Sequence, residues 1–303
     1  MRLPFHTLDV FTDKRFGGNP LAVVLDADAL DTEQMRTIAR EFNLSETVFV
    51  LRPKNPMHSA CVRIFTPAVE LPFAGHPTVG TAALLAELRG HDLGTNHEAI
   101  IVLEETIGTV RVGVRFRPGK AIYAEFDAPK LPEQSEVGTS LEELAAAVDL
   151  EPSEIGFENH HPSRWSAGMP VNFIPVRDLD TVGRARPNMT RWSSAFGETG
   201  GAYVYCRDTV HNTAHFHARM FAPAVGVSED PATGSAAAAF AGAIHRFDDL
   251  PSGEHRYTIE QGYEMARPSE IDLSIVVDGS GLQSVRIGGH AVLVSDGISK
   301  YSC

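Results

Sequence analysis

Two segments of this 303-residue chain put a polar side chain directly ahead of a proline and a run of small residues. They are His76-Pro77-Thr78-Val79-Gly80-Thr81-Ala82-Ala83 and Asp230-Pro231-Ala232-Thr233-Gly234-Ser235-Ala236-Ala237. Proline suits a first helical position, because its fixed φ is already helical and its missing N–H would find no partner there. The pattern predicts helix starts at Pro77 and at Pro231. The first N–H groups of a helix lack internal acceptors and carry partial positive charge, so they bind carboxylate or phosphate. Well-capped core helices would read the same way, and it is the repetition that favours a shared ligand. A third residue, Glu46, follows Asn43-Leu44-Ser45 and enters the apolar run Thr47 to Leu51. It reads either as an exposed strand-end glutamate or as a partly buried one. Burial would raise its pKa toward neutrality and fit it to move a proton.

The elements that must carry these residues are mostly strands. Leu3 to Phe11, Leu21 to Leu25, Thr47 to Leu51 and His58 to Phe65 read as extended, and Thr32 to Phe42 as a helix with Asp31 and Gln34 in a capping box. The Pro77 helix is expected to close at Gly90. Ile100 to Leu103, Thr109 to Phe116 and Ile122 to Phe126 read as a meander turning at Gly108 and Pro118-Gly119. Asp127 to Ser140 is the linker candidate, followed by a helix with Ser140 and Glu143 as a second capping box. Strands are then expected near Val171 to Val176, Ala202 to Cys206 and His215 to Phe221, with an Ala-rich helix from Pro231 to about His245.

Comparison of the two halves explains the paired helix starts. Arg63-Ile64-Phe65-Thr66-Pro67-Ala68-Val69 and Arg219-Met220-Phe221-Ala222-Pro223-Ala224-Val225 share five residues of seven at an offset of 156. The two proline segments share four of eight at an offset of 154. Gly18-Asn19-Pro20-Leu21 echoes Gly168-Met169-Pro170-Val171, and Val48-Phe49-Val50 echoes Val204-Tyr205-Cys206, in the same order. The chain therefore reads as two copies of one α+β unit. At the offset of 156, Glu46 falls on Ala202, so only the first copy supplies a carboxyl group there.

Composition narrows the partners. Lys plus Arg is 26 against 39 Asp plus Glu, a formal charge of −13, which argues against nucleic acid or an anionic membrane as partner. Hydrophobic residues at 43% and charged residues at 21% fit a folded globular chain. Cys61, Cys206 and Cys303 are odd in number and widely spaced, suggesting a reducing compartment and no disulfide framework. Without a signal-peptide pattern or an apolar stretch of spanning length, a cytoplasmic protein is expected. His211, His215 and His217 lack an evident Cys or carboxylate partner, so no metal site is expected, and His160-His161 reads as an exposed loop pair. No nucleotide-binding glycine motif occurs, so no cofactor is expected.

Several segments in order carry a family resemblance: Gly18-Asn19-Pro20-Leu21-Ala22-Val23-Val24, Asn43-Leu44-Ser45-Glu46-Thr47, Arg63-Ile64-Phe65-Thr66-Pro67, Glu70-Leu71-Pro72-Phe73-Ala74-Gly75-His76-Pro77, Glu229-Asp230-Pro231-Ala232-Thr233-Gly234-Ser235-Ala236, and the later Gln261-Gly262 and Arg267-Pro268-Ser269. Together they resemble the phenazine-biosynthesis PhzF-like family, of the diaminopimelate-epimerase-like superfamily. The resemblance implies an α+β fold of two similar domains, each a curved sheet or barrel around a central helix, with the active site in the cleft between them. The expected domains are 1–127, joined by a C-terminal strand at about 288–303, and 128–287. It implies isomerisation of trans-2,3-dihydro-3-hydroxyanthranilate or a similar small carboxylate-bearing substrate, without cofactor, by a homodimer. Glu46 would move the proton, Asp230 and His76 would assist, and Gly75, Gly234 and Ser235 would bind the substrate. Racemases of this superfamily use two opposed cysteines, but here those turns hold His76 and Asp230. A racemase or epimerase of non-thiol type and a non-catalytic small-anion-binding protein are the alternatives.

Overall fold

The computed structural model describes residues 1–90, 95–197 and 200–301. Its first half is built from β1 (Arg2–Val10), β2 (Asn19–Val24), α1 (Thr32–Phe42), β3 (Glu46–Leu51), β4 (Ala60–Phe65), β5 (Glu70–Leu71), α2 (Gly75–Gly90), β6 (His97–Glu105), β7 (Gly108–Phe116) and β8 (Ile122–Asp127). The second half has β9 (Glu133–Ser135), α3 (Leu141–Ala147), β10 (Ser163–Ser166), β11 (Pro170–Pro175), α4 (Leu179–Arg184), α5 (Met189–Phe196), β12 (Gly201–Cys206), β13 (Phe216–Ala222), β14 (Val227–Asp230), α6 (Gly234–Phe247), β15 (Gly253–Gln261), β16 (Ser269–Asp278) and the long β17 (Gly281–Lys300). The chain divides into two units, Met1–Asp127 with Gly288–Cys303, and Ala128–Ile287.

In the first unit the strands close on themselves in the order β1, β2, β3, β4, β6, β7, β8, β17 and back to β1. A closed barrel leaves no unpaired sheet edge. Helix α2 packs against β1, β2, β3, β6, β7 and β8 and is buried from Gly75 to Leu84, so it is the core of the barrel. That placement explains why its sequence lacks a polar face: a helix surrounded by strands is apolar or small on all sides. Gly80 is the clearest case, since a Cβ there would lie 2.6 Å from Leu21 and 2.7 Å from Val10. Outside the barrel, Met35, Ile38 and Ala39 of the amphipathic α1 pack with Leu3, Val24, Phe49 and Phe65. The Asp31–Gln34 capping box forms as expected.

The second unit repeats the ladder. Antiparallel β10–β11, parallel β11–β12, antiparallel β12–β13, parallel β13–β15 and antiparallel β15–β16 match β1–β2, β2–β3, β3–β4, β4–β6 and β6–β7 in type and order. Helix α6 takes the place of α2, packing on β9, β10, β11 and β16. Two helices absent from the sequence reading, α4 and α5, join α3 over β11 to β13, where Trp192 and Phe196 pack with Ile174, Val182, Val204 and Phe221.

Several expectations need correction. The linker Asp127 to Ser140 contains β9, which pairs with β10. The second capping box is incomplete: Ser140 accepts the N–H of Glu143, but the Glu143 carboxylate accepts from Thr139 instead of reaching back to the N-cap. His160 is no surface residue. It is 3% exposed, with Nδ1 2.8 Å from the Tyr205 hydroxyl and Nε2 2.7 Å from Asp248 Oδ1. Helix α2 begins two residues before Pro77, and α6 begins three after Pro231, because Thr233 keeps a non-helical φ of −115° and ψ of 87°. Cys61 lies in β4 and Cys206, buried, in β12; Cys303 lies outside the described residues. Among the described residues no helix is long and apolar enough to cross a membrane.

Candidate active site

In the first unit, β3 and α2 bring Glu46 and His76 together. Glu46 opens β3, where its backbone pairs with Leu21 of β2. Its carboxyl Oε2 lies 3.3 Å from Nε2 of His76, and the side chains are 15% and 4% exposed. The two atoms approach without the alignment of a hydrogen bond. Burial pushes the His76 pKa down from 6.5 to about 3, so its ring is neutral and the contact is no ion pair at neutral pH. His76 is the second residue of α2, beside Gly75, and both N–H groups precede the first intrahelical bond, made by Thr78 N–H to the Ala74 carbonyl at 3.2 Å. This is the donor set expected of a carboxylate-binding helix start.

A second acidic group escaped the sequence reading. Glu105, the last residue of β6, is 8% exposed and accepts from the Thr78 hydroxyl at 2.8 Å through Oε1, while Oε2 is buried without a partner. The signal was present as alternation, since Ile101, Leu103 and Glu105 share the inward face of β6. Burial pushes this carboxyl up from 4.5 to about 8. Between those values the folded protein holds a proton that the unfolded chain has released, so stability falls as pH rises through this window. Glu105→Gln is expected to remove that slope, stabilising the protein at pH 8 and changing little near pH 4.5. Urea unfolding at the two pH values checks it.

In the second unit, Asp230 ends β14, and Gly234 and Ser235 are the first residues of α6. Between them runs a tight turn held by Gln261. The buried amide donates to the Asp230 carbonyl at 2.7 Å and to the Thr233 hydroxyl at 3.0 Å, and its oxygen accepts the Thr233 N–H at 3.2 Å. The Thr233 hydroxyl in turn donates to the Asp230 carboxylate. Gly262 follows at φ +79°, and a Cβ there would meet the carbonyl oxygens of Pro231 and Arg267 at 2.5 Å. Only glycine fits both the backbone conformation and the space. The late motif Gln261-Gly262 thus builds the Asp230 turn.

The strand registers also correct the match between halves. Thr47 pairs with Phe65 as Ala202 pairs with Phe221, and the two phenylalanines are equivalent in the repeat. Thr47 therefore corresponds to Ala202, and Glu46 to Gly201. The offset is one residue smaller on β3 than on β4, and the Val48 and Val204 echo is out of register by the same residue. At Gly201 a Cβ would lie 2.6 Å from Met220, so the second unit fills with a methionine the space where the first holds a carboxyl group.

A family model described as phenazine biosynthesis-like protein matches residues 8–297. The chain belongs to this family. It is 54% identical over 294 residues to an uncharacterized isomerase of Mesorhizobium japonicum, covering 95% of this chain and 96% of that one. It is 34% identical over 291 residues to the trans-2,3-dihydro-3-hydroxyanthranilate isomerase of Pseudomonas chlororaphis, covering 96% of each. A crystal structure of the PhzF-family protein of Bacillus anthracis superposes with a TM-score of 0.88 at 27% identity, over 99% of this chain and 100% of that one. This PhzF-like protein is an isomerase with a small-molecule substrate.

Among the described residues, the two cysteines of this PhzF-like protein are not poised as thiolate bases. Burial pushes Cys206 up to about 12, and burial, followed by nearby Glu104, raises Cys61, so neither is a thiolate near neutral pH. The histidine run was also misjudged, because His217 does have carboxylate partners, Glu260 and Glu264, each 3.0 Å away. Among the described residues no group of three metal-ligating side chains forms a metal site.

Proposed function

We propose that this protein is a cofactor-independent isomerase that moves a proton between carbons of a small carboxylate-bearing cyclic or amino-acid substrate, with Glu46 as general acid and base. The observation that carries the reading is the half-buried Glu46 carboxyl 3.3 Å from a neutral, buried His76 at the start of the α2 helix. A carboxylate removes a proton from carbon more effectively when burial raises its pKa toward the working pH, and a neutral imidazole beside it adds no competing charge. His76 thus stands beside the Glu46 carboxyl as an uncharged neighbour. The first N–H groups of α2 and α6, at Gly75, Gly234 and Ser235, suit a substrate carboxylate, and the Asp230 carboxylate suits an amine or hydroxyl. Helix-start N–H groups of this kind would let a chain of net charge −13 take an acidic substrate without a cluster of Lys or Arg.

The relative that is 34% identical makes trans-2,3-dihydro-3-hydroxyanthranilate the first compound to try. Incubation of that compound with the protein in D2O should give the isomerised product, with deuterium at the new C–H position to the extent that the Glu46 proton exchanges with solvent before it is returned. Recovery of unlabelled, unchanged compound would reject this substrate, and the same assay over a panel of cyclic carboxylates would then test the wider class. The reading includes a cytoplasmic homodimer, whose dimeric state light scattering would check, and no nucleic-acid partner, in keeping with the net charge of −13.

A further inference from the structure

In the second unit a run of charged side chains, buried at His217, Glu260 and Arg219, begins at His217 of β13 and reaches Asp230 from both flanks. His217 is 1% exposed, with Nδ1 3.0 Å from Glu260 Oε2 and Nε2 3.0 Å from Glu264 Oε1. Glu260 is fully buried and also accepts the N–H groups of Val210 at 2.8 Å and His211 at 2.7 Å. The next residue on β15 is Gln261, whose amide holds the Asp230 carbonyl. On the other flank, Glu264 Oε2 lies 3.9 Å from Nε of Arg219, and Arg219 grips Glu229 with Nε at 2.7 Å and Nη2 at 2.8 Å. Glu229 directly precedes Asp230. The charges alternate along this path: Glu260, His217, Glu264, Arg219, Glu229.

The geometry suits a protonated central ring. A neutral imidazole has one N–H and can donate to only one acceptor, whereas here both ring nitrogens face a carboxylate oxygen at hydrogen-bond distance. An imidazolium satisfies both and neutralises one of two charges that burial would otherwise make costly. We propose that His217, as an imidazolium, is a positioning residue for Asp230: by holding Glu260 and Glu264 it fixes the turn from Asp230 to Thr233 at both ends. This rests on the reading that Asp230 belongs to the site.

Burial alone would lower the His217 pKa, but the hydrogen bonds to Glu260 and Glu264 carry it up to about 9. The folded value lies above the ordinary one, so the lock is complete below pH 6.5 and is lost as pH rises through about 9. Other groups facing the ring are Tyr263, with ring centroids 5.3 Å apart, and, beyond it, His211. Burial, followed by Glu260 and Glu270, raises the tyrosine, so it does not titrate in this range.

Hydrogen exchange of the full chain, followed by mass spectrometry from pH 6 to 10 and corrected for intrinsic base catalysis, tests the proposal without substrate. Exchange at the Thr233 N–H, which Gln261 holds, should rise roughly two- to thirtyfold with a midpoint near pH 9, the span expected for a coupling between neighbouring networks. His217→Gln should exchange fast already at pH 7 and show no midpoint. Glu264→Gln, which removes one carboxylate, should move the midpoint down and serves if His217→Gln does not fold. Full protection of the turn in His217→Gln, or no transition in the unmodified protein, would overturn the proposal. Failure of the D2O assay with an intact exchange transition would count against the substrate reading alone.

Discussion

Glutamine in place of Glu46 is expected to lower the rate of deuterium incorporation into substrate by about 10²- to 10⁴-fold, the range that a positioned general acid or base contributes. The substitution keeps the shape of the side chain while removing its charge and its ability to take up a proton. Its backbone partner Leu21 on β2 and its neighbour His76 are untouched. Binding of a substrate analogue, followed by thermal stabilisation, should persist because the helix-start N–H groups of Gly75, Gly234 and Ser235 remain. An unchanged exchange rate would remove Glu46 from the mechanism. The conversion of His76 to asparagine is the informative companion, since the neutral ring is expected to tune the proton transfer and not to replace it.

The second large effect is on stability. Each unit carries an Arg–Glu clamp at the same place in the repeat, Arg63 with Glu70 and Arg219 with Glu229, and each guanidinium meets its carboxylate through Nε and Nη2. Their surroundings differ. Arg63 and Glu70 are 26% and 28% exposed, whereas Arg219 is 3% exposed and its Nη1 also donates to the carbonyls of Val182, Gly183 and Ala185 at the end of α4. Breaking a buried pair leaves an uncompensated charge and costs about 3–5 kcal/mol, while a pair partly open to water contributes about 1 kcal/mol or less. Arg219→Ala is therefore expected to destabilise the protein severely and Arg63→Ala mildly, as measured by urea unfolding. Equal losses would mean that the water-exposed clamp is as strong as the buried one.

Much of the fold was legible because its signals are local or repeated. The Asp31–Gln34 box, the meander from β6 to β8 and the order of duplicated segments are written in short runs of residues. The helix starts were less so. Proline favours a first helical position, but it fits the whole first turn or the turn before it, and Gln261 decides the matter at α6 from 28 residues away, by bonding Thr233. Glu46 was named from its asymmetry, yet its counterpart was placed one residue off, because identity at β4 and β13 cannot report a one-residue change in the preceding strand. Arg219, Gln261, His217 and Glu105 act through partners distant in sequence. Only the alternation around Glu105 offered a local clue to burial.

The path of β17 has a consequence for how the protein is made. The first unit needs residues from Gly288 onward, and β17 pairs with β1 from Arg2 to Val10. During synthesis the chain up to Asp127 leaves the ribosome with the edges of β1 and β8 unpaired, while the whole second unit is still to come. At about 5–20 residues per second the missing strand follows roughly ten to thirty seconds later. The half that begins the chain is thus the last to close. Until then the outer edges of β1 and β8 are backbone whose hydrogen bonds the sheet has yet to supply.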